Sequence, residues 1–177
     1  MQHNHPPILD ITHAAQAKTT LQGQDALSNY ERLLAESVGQ DNNSAVQWTV
    51  RFDVRGNPAG EPSAWLRLTV DTYLVQTCQR CLQPTEVALH VDRAFRFVAS
   101  EAVAEQEDDD CDEDLLVSSR TFDLAALIED EVLLELPLVP RHDVCPVPVK
   151  TVVADADFDA PTVKPNPFAA LAALKGE

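Results

Sequence analysis

The sequence has little glycine and none of the short motifs around which common enzyme sites are built. Five glycines in 177 residues leave little material for the loops that cradle phosphates. The GxGxxG, Walker A, GxSxG and HExxH patterns are absent from the sequence, so dinucleotide, nucleotide, serine-hydrolase and zinc-protease chemistry lack their usual signatures. We therefore predict a protein that is not an enzyme and has no small-molecule substrate.

Basic residues and long apolar runs are also scarce. Lysine and arginine number 13 against 29 aspartates and glutamates, which gives a formal net charge of −16. Proteins that grip nucleic acid over a broad surface carry the opposite charge, so only a local basic patch is left open. Apolar runs such as VLLEL are too short to cross a bilayer, and the N-terminus lacks the regions of a signal peptide. The sequence predicts a cytoplasmic protein without membrane contact.

Three consecutive segments alternate apolar and polar residues with the period of a half-exposed strand. They span 45–54, 64–75 and 86–98, and the first places Trp48 and Phe52 on its apolar side. The turn-rich sequence RGNPAGEPS separates the first two segments. This order predicts an antiparallel β-meander.

Apolar residues at helical spacing occur on either side of these strands. QDALSNYERLLAESVG predicts an amphipathic helix ending near Ser37. FDLAALIEDEVLLELP predicts another, with Asp123 as its N-cap and Pro137 as its stop. The N-terminal PPILDITHAA is expected to supply a short strand. Together these elements predict an α+β fold with two or three helices.

Two further segments are expected to lie outside the core. Residues 101–114 hold nine acidic side chains and no basic one, so we expect a disordered acidic loop in which Cys111 is an incidental exposed thiol. Prolines then recur toward the C-terminus, which favours an extended tail with a short apolar end. The predicted organisation is a single α+β domain over 1–145 and a Pro-rich tail over 146–177.

The cysteines offer a candidate metal site. CQRCLQP places Cys78 and Cys81 at a hairpin tip between two predicted strands, where both thiolates can face one ion. RHDVC supplies His142 and Cys145 at the same spacing, and the four residues make a ligand set suited to zinc. The alternative is two ordinary, partly buried thiols and a surface histidine. A redox pair is less favoured. A redox CxxC lies at the first residues of a helix, whose N-terminus lowers the thiol pKa, whereas a strand is predicted after this motif.

The second predicted helix carries a run of acids. Glu129, Asp130, Glu131 and Glu135 lie on it, and the last two are one turn apart, opposite the apolar stripe. Paired carboxylates can act as acid and base or hold magnesium, but the motif has no second half elsewhere in the chain. A solvated helix face is the expected role, and His90 is likewise expected to face solvent.

Three motifs follow one another as they do in a known bacterial family. With CQRCLQP, DLAALIEDEVLLELPLVPRHDVC and KPNPFAALAALK, the chain resembles the YceD family of large ribosomal RNA subunit accumulation proteins over roughly residues 20–175. The resemblance implies a cytoplasmic, non-enzymatic factor for synthesis or accumulation of large-subunit ribosomal RNA, and hence for ribosome biogenesis. The matching positions include Cys78, Arg80 and Cys81 in the first motif, Glu129, Asp130, Glu131, His142 and Cys145 in the second, and Asn166, Phe168 and Leu171 in the third.

Two kinds of partner suit an acidic protein of this family. One is a basic ribosomal or assembly protein, or a precursor particle, attracted by the acidic loop and helix face. The other is the large-subunit ribosomal RNA precursor, bound directly by a protein with a small structural zinc site. The candidate partner-binding residues are Arg80, Glu129, Glu131, Glu135, Asn166, Phe168 and Leu171, and the candidate basic region comprises Arg51, Arg55, Arg67, Arg80, Arg93 and Arg96.

Overall fold

Most of the chain up to residue 150 folds into an α+β unit. The computed structural model describes residues 2–3, 5–39, 44–57 and 60–150. By compactness the chain divides into Met1–Pro146 and Val147–Glu177, and the elements given below all belong to the first unit. The predicted partner-binding positions of the tail, Asn166, Phe168 and Leu171, lie outside the described residues.

A six-stranded sheet is the main element of this unit. The strands are, in chain order, β1 (Gln2–His3), β2 (Ile8–Leu9), β3 (Thr20–Ala26), β4 (Ala45–Gly56), β5 (Pro62–Thr77), β6 (Pro84–Val98), β7 (Asp114–Val117) and β8 (Phe122–Asp123). The sheet order is β1-β3-β4-β5-β6-β7; β3 to β6 pair antiparallel, and β1 and β7 run parallel to their neighbours. Strands β2 and β8 pair separately. The predicted antiparallel meander is confirmed.

Alternation along the meander strands decides which face of the sheet is buried. In β4, Val46, Trp48 and Val50 are buried, whereas the intervening Gln47 and Arg51 are exposed. Strand β5 continues the same face with buried Leu66, Leu68, Val70 and Leu74. Each such side chain contributes roughly 1.5–3 kcal/mol by leaving water, so the period-two pattern fixes the register of the meander.

The described residues of this unit also form four α-helices: α1 (Ile11–Gln16), α2 (Glu31–Glu36), α3 (Glu101–Glu107) and α4 (Leu124–Leu134). Helix α1 packs on β4 and β5, and α4 packs on α2 and on the sheet. As predicted, Asp123 caps α4, because its carboxylate accepts a hydrogen bond from the Ala126 amide at 3.1 Å. Within the described ranges, no helix is long and apolar enough to span a membrane.

The helix predicted before residue 37 is shorter than its sequence pattern suggests. Its first residues, Gln24 to Ala26, belong instead to β3, where they pair with Gln47, Val46 and Ala45 of β4. A turn of 3-10 helix follows, and α2 ends at Glu36, one residue before the predicted end. Pairing with a neighbouring strand has outweighed the local preference for helix.

The prediction of a disordered loop over 101–114 is wrong. The segment forms α3, a 3-10 turn and the start of β7. The cause is Arg96 of β6, which is 1% exposed and donates to Glu107 at 2.6 Å and Glu113 at 2.5 Å. Burial opposes the charge of Arg96, but these carboxylates and the Cys111 thiol raise its pKa above the usual value. A buried guanidinium needs such partners, and it therefore orders the acids that supply them.

Candidate metal centre

The CxxC motif forms the turn between β5 and β6, as the sequence predicts. The Cys78 amide donates to the Gln83 carbonyl at 2.9 Å, and the Leu82 amide donates to the Cys78 carbonyl at 2.8 Å. Leu82 takes the left-handed conformation at φ 59°, which costs a residue with a Cβ about 1–2 kcal/mol. The strand pairing that ends at Thr77 and Pro84 closes this turn, so both thiols are carried on a fixed hairpin tip.

The segment after α4 brings the second ligand pair to this hairpin. The amide of Gln79 donates to the Pro140 carbonyl at 2.8 Å. Arg80 reaches further along the same segment, where its Nη2 donates to the carbonyls of His142 at 2.8 Å and Asp143 at 3.2 Å. Main-chain and guanidinium contacts therefore hold the segment against the turn independently of any ion.

All four predicted ligands lie together. The ligand atoms of Cys78, Cys81, His142 and Cys145 are within 4.8 Å of one another, and the Cys81 Sγ lies 3.4 Å from the His142 Nδ1. A tetrahedral zinc ion with bonds of about 2.3 Å to sulfur separates its ligand atoms by roughly 3.8 Å. The observed spacing fits a single ion of this size, with only small side-chain adjustments.

The ring of His142 is oriented for coordination through Nδ1. Its Nε2 lies 3.0 Å from the Pro84 carbonyl, and a carbonyl can only accept, so Nε2 carries the hydrogen. The neutral ring then has its lone pair on Nδ1, which faces the Cys81 thiol. A hydrogen bond from the far nitrogen to a carbonyl is the usual support of a metal-binding histidine.

The surroundings favour a thiolate at Cys78. Burial opposes its ionisation, but main-chain amides of His142, Cys81 and Arg80 donate to its Sγ and lower the pKa of Cys78 to about 5. Burial and the neighbouring thiols raise the pKa of Cys81. At Cys145 the Arg80 Nε donates to the Sγ at 3.0 Å. Thiolates are the form that binds metals, and a nearby guanidinium offsets part of their charge.

The acids of α4 are less available than the sequence suggests. Glu129 accepts hydrogen bonds from the Arg32 main chain at 2.8 Å and from its Nε at 2.9 Å, which ties α2 to α4. Glu131 is 9% exposed and faces Arg93 at 3.8 Å, and burial raises its pKa. The prediction of a solvated face is therefore wrong for Glu131 and holds for Glu135, which is exposed.

The arginines of the candidate basic region are mostly turned toward the chain's own acceptors. Arg67 pairs with Asp92 at 2.6 Å, and Arg55 lies 3.6 Å from Asp53. Arg93 and Arg96 pair with Asp114, Glu131, Glu107 and Glu113, and Arg80 is bound at the metal centre. Across the described ranges, Arg51 and Arg80 have no carboxylate partner, and Arg80 donates instead to the Cys145 thiol and to two main-chain carbonyls. His90 is exposed as predicted and bonds Asp71 at 2.6 Å.

A second acidic region takes the place of the predicted helix face. We define the acidic surface as the exposed side chains Glu101, Glu105, Asp108, Asp109 and Asp112 of α3 and the turn after it. In the part of the chain that the structure describes, none of them pairs with a basic side chain. The sequence signal for this region is the run of nine acids without a base.

Fold and site define a small α+β protein with an ordered acidic surface and a hairpin centre of three cysteines and one histidine. The chain belongs to the YceD family: the family model described as "Large ribosomal RNA subunit accumulation protein YceD" matches residues 66–175. A protein with that name from Haemophilus influenzae is 31% identical over 172 residues, covering 96% of this chain and 95% of the relative. No solved structure matches the chain. The resemblance carried by the three motifs is confirmed.

Proposed function

We propose that this chain supports accumulation of large-subunit ribosomal RNA in the cytoplasm as a binding protein without catalytic activity. The name shared by the family and the relative supports the role in large-subunit RNA accumulation. We propose further that its primary contact is a basic ribosomal or assembly protein, alone or within a precursor particle. Ribosomal proteins are rich in lysine and arginine because they coat RNA, and an acidic surface attracts them over long range.

The observation that carries this proposal is the unequal use of the two charges. The arginines of the meander neutralise carboxylates of the same chain, so little of their charge is available to phosphates. The acidic surface has no such internal compensation within the described residues. With a net charge of −16, the unpaired charges on the described surface are mainly carboxylates. Such a surface suits a cationic partner better than RNA.

Direct binding of RNA is the rival function. Its strongest support is a small set of exposed cations, in the described chain, that have neither a carboxylate partner nor the thiol and carbonyl contacts of Arg80: Arg51, Arg120, Arg141 and Lys150. Arg51 lies in β4, Arg120 precedes β8 and Arg141 is next to the metal centre. These cations come from separate elements, whereas the acidic surface is one continuous stretch of chain.

Two matched sets of substitutions separate the functions. One neutralises Glu101→Gln, Glu105→Gln and Asp108→Asn, and the other neutralises Arg51→Gln, Arg120→Gln and Arg141→Gln; all six side chains are exposed. Tagged variants are purified from growing cells, and the bound RNA and proteins are quantified. We expect the acidic set to lose the partner and the basic set to keep it. The opposite sensitivity, with tight binding of naked large-subunit RNA, would establish direct RNA recognition.

We also propose that the four-ligand centre binds zinc as a structural ion. Three thiolates and one imidazole fill a tetrahedral shell and leave no open position for a substrate. Bound zinc would cross-link the β5–β6 turn to the segment after α4, which Arg80 already holds there. Elemental analysis should find zinc in protein purified under reducing conditions without chelators. Cys78→Ser and Cys145→Ser should each lower the metal content, whereas Cys111→Ser, outside the cluster, should not.

A further inference from the structure

Arg80 lies between the two cysteines of the CxxC motif but contacts the other ligand pair of the metal centre. It is carried by the turn between β5 and β6. Its Nε donates to the Cys145 Sγ at 3.0 Å, and its Nη2 donates to the carbonyls of His142 at 2.8 Å and Asp143 at 3.2 Å. A residue of the hairpin turn thus holds a candidate ligand that lies 65 residues away in sequence.

The shape of the guanidinium suits this contact. Nε and Nη2 are donors of one planar, rigid group, so the Cys145 sulfur and the main chain just before it are bound by the same edge of Arg80. The contact therefore sets both the position of the sulfur and the path of the chain that carries it. A lysine has a single ammonium on a flexible stem and cannot make this paired contact.

The charge of the centre gives a second reason for an arginine at this position. Three thiolates and one neutral imidazole around a zinc ion leave a net negative charge on the proposed centre. Arg80 places a positive charge beside one of these sulfurs. Hydrogen bonds that involve an ionised group are stronger than those between neutral groups, so Arg80 offsets part of the repulsion among thiolates gathered around one ion.

We infer that Arg80 is a positioning residue of the metal centre, which holds Cys145 in place for zinc and thereby raises the affinity for the ion. The inference rests on the proposed zinc site and adds to its four ligands a residue that does not touch the metal. Loss of a partner that orients a metal ligand typically lowers metal affinity by about 10–100-fold. Arg80 is exposed and water competes for its contacts, so we expect the lower end of that range.

The test compares the zinc affinity of full-length variants. Reduced, zinc-free protein is titrated with zinc in competition with a chromophoric chelator. Arg80→Gln should weaken zinc binding by about tenfold. Arg80→Lys should recover only part of this loss, because it keeps the charge without the paired contact. Arg141→Gln removes an equal charge from an exposed side chain next to His142; it is the matched control and should keep the wild-type affinity.

Two further measurements separate positioning from a general loss of structure. With saturating Co²⁺ in place of zinc, Arg80→Gln should give the wild-type absorption spectrum, since all four ligands are still present. The rise in Tm that zinc produces should return in Arg80→Gln at about tenfold higher free zinc, as mass action requires for a weakened site. A variant that was merely misfolded would recover neither the spectrum nor the Tm.

The outcomes decide between the inference and the proposal on which it rests. Equal zinc affinity in the wild type and Arg80→Gln would overturn the role of Arg80, and full recovery by Arg80→Lys would show that charge alone is needed. Equal losses in Arg80→Gln and Arg141→Gln would overturn it as well. If Arg80→Gln does not fold, the partial loss expected of Arg80→Lys decides the question. A wild-type chain that binds no zinc would overturn the proposed zinc site itself.

Discussion

Removal of the proposed zinc ion should lower the free energy of unfolding by an amount that depends on the free zinc concentration and the Kd. A ligand that binds only the folded state stabilises it by RT ln(1 + [L]/Kd), which is about 2.7 kcal/mol when free zinc exceeds its Kd by a hundredfold. All four ligand atoms lie within 4.8 Å of one another in the folded chain, and one pair lies 61 residues from the other in sequence. The unfolded chain therefore cannot present the same site.

This free energy corresponds to a fall in Tm of roughly 5–10 °C for a chain of this size. Thermal unfolding is followed by circular dichroism in a reducing buffer, with zinc and then with excess chelator. Cys145→Ser should unfold near the chelated value whether or not zinc is present. Cys111→Ser should keep the full zinc effect, because Cys111 lies outside the cluster. A wild-type Tm that chelation does not change, or an equal zinc effect in Cys145→Ser, would exclude a stabilising zinc ion held by these four residues.

Three further predictions concern ion pairs away from the cluster. Glu113→Gln should destabilise the fold by about 1.5–3 kcal/mol in denaturant titrations, since it weakens a charged hydrogen bond to the buried guanidinium of β6; unchanged stability would contradict the ordering of α3 by that group. Glu129→Gln should lower the Tm because it loosens α2 from α4, whereas Glu135→Gln should not; equal effects would show that both acids are surface groups. Asp71 raises the pKa of His90, so the pair contributes stability below the ordinary histidine pKa of about 6.5 that is lost as pH rises through the folded value. The substitution Asp71→Asn should lower the pKa of His90, which NMR titration measures. An unchanged His90 pKa would show that the two side chains do not interact in solution.

The sequence predicted those parts of the fold whose signal is local. Apolar and polar residues alternate along β4, β5 and β6 because alternate side chains face the core. Asp123 and the apolar residues after it predict the N-cap of α4 in the same local way. The clustering of the four candidate ligands was likewise predictable, because the two pairs share the spacing of a metal knuckle and residue types that bind zinc. These features depend on residues a few positions apart.

The missed features depend on contacts between distant residues. Arg96 alternates onto the polar side of its strand, yet it is buried, and α3 and the segment after it bring Glu107 and Glu113 to its guanidinium. No local feature of the acidic run shows that Glu107 and Glu113 accept hydrogen bonds from the buried guanidinium of Arg96. The link from Arg32 to Glu129 spans 97 residues, and it converts a predicted partner-binding acid into a contact between helices. Such pairings follow from topology, which a period or a motif does not contain.

We propose that this chain contacts a basic protein during large-subunit production. The most direct measurement is co-purification of the tagged full chain with large-subunit precursor particles, repeated after ribonuclease digestion of the bound material. We expect a basic protein partner to remain bound after digestion and to be released by raised salt, because carboxylates of the acidic surface attract it. Loss of every protein partner on digestion, with the chain itself cross-linked to large-subunit RNA, would show instead that the chain binds RNA directly.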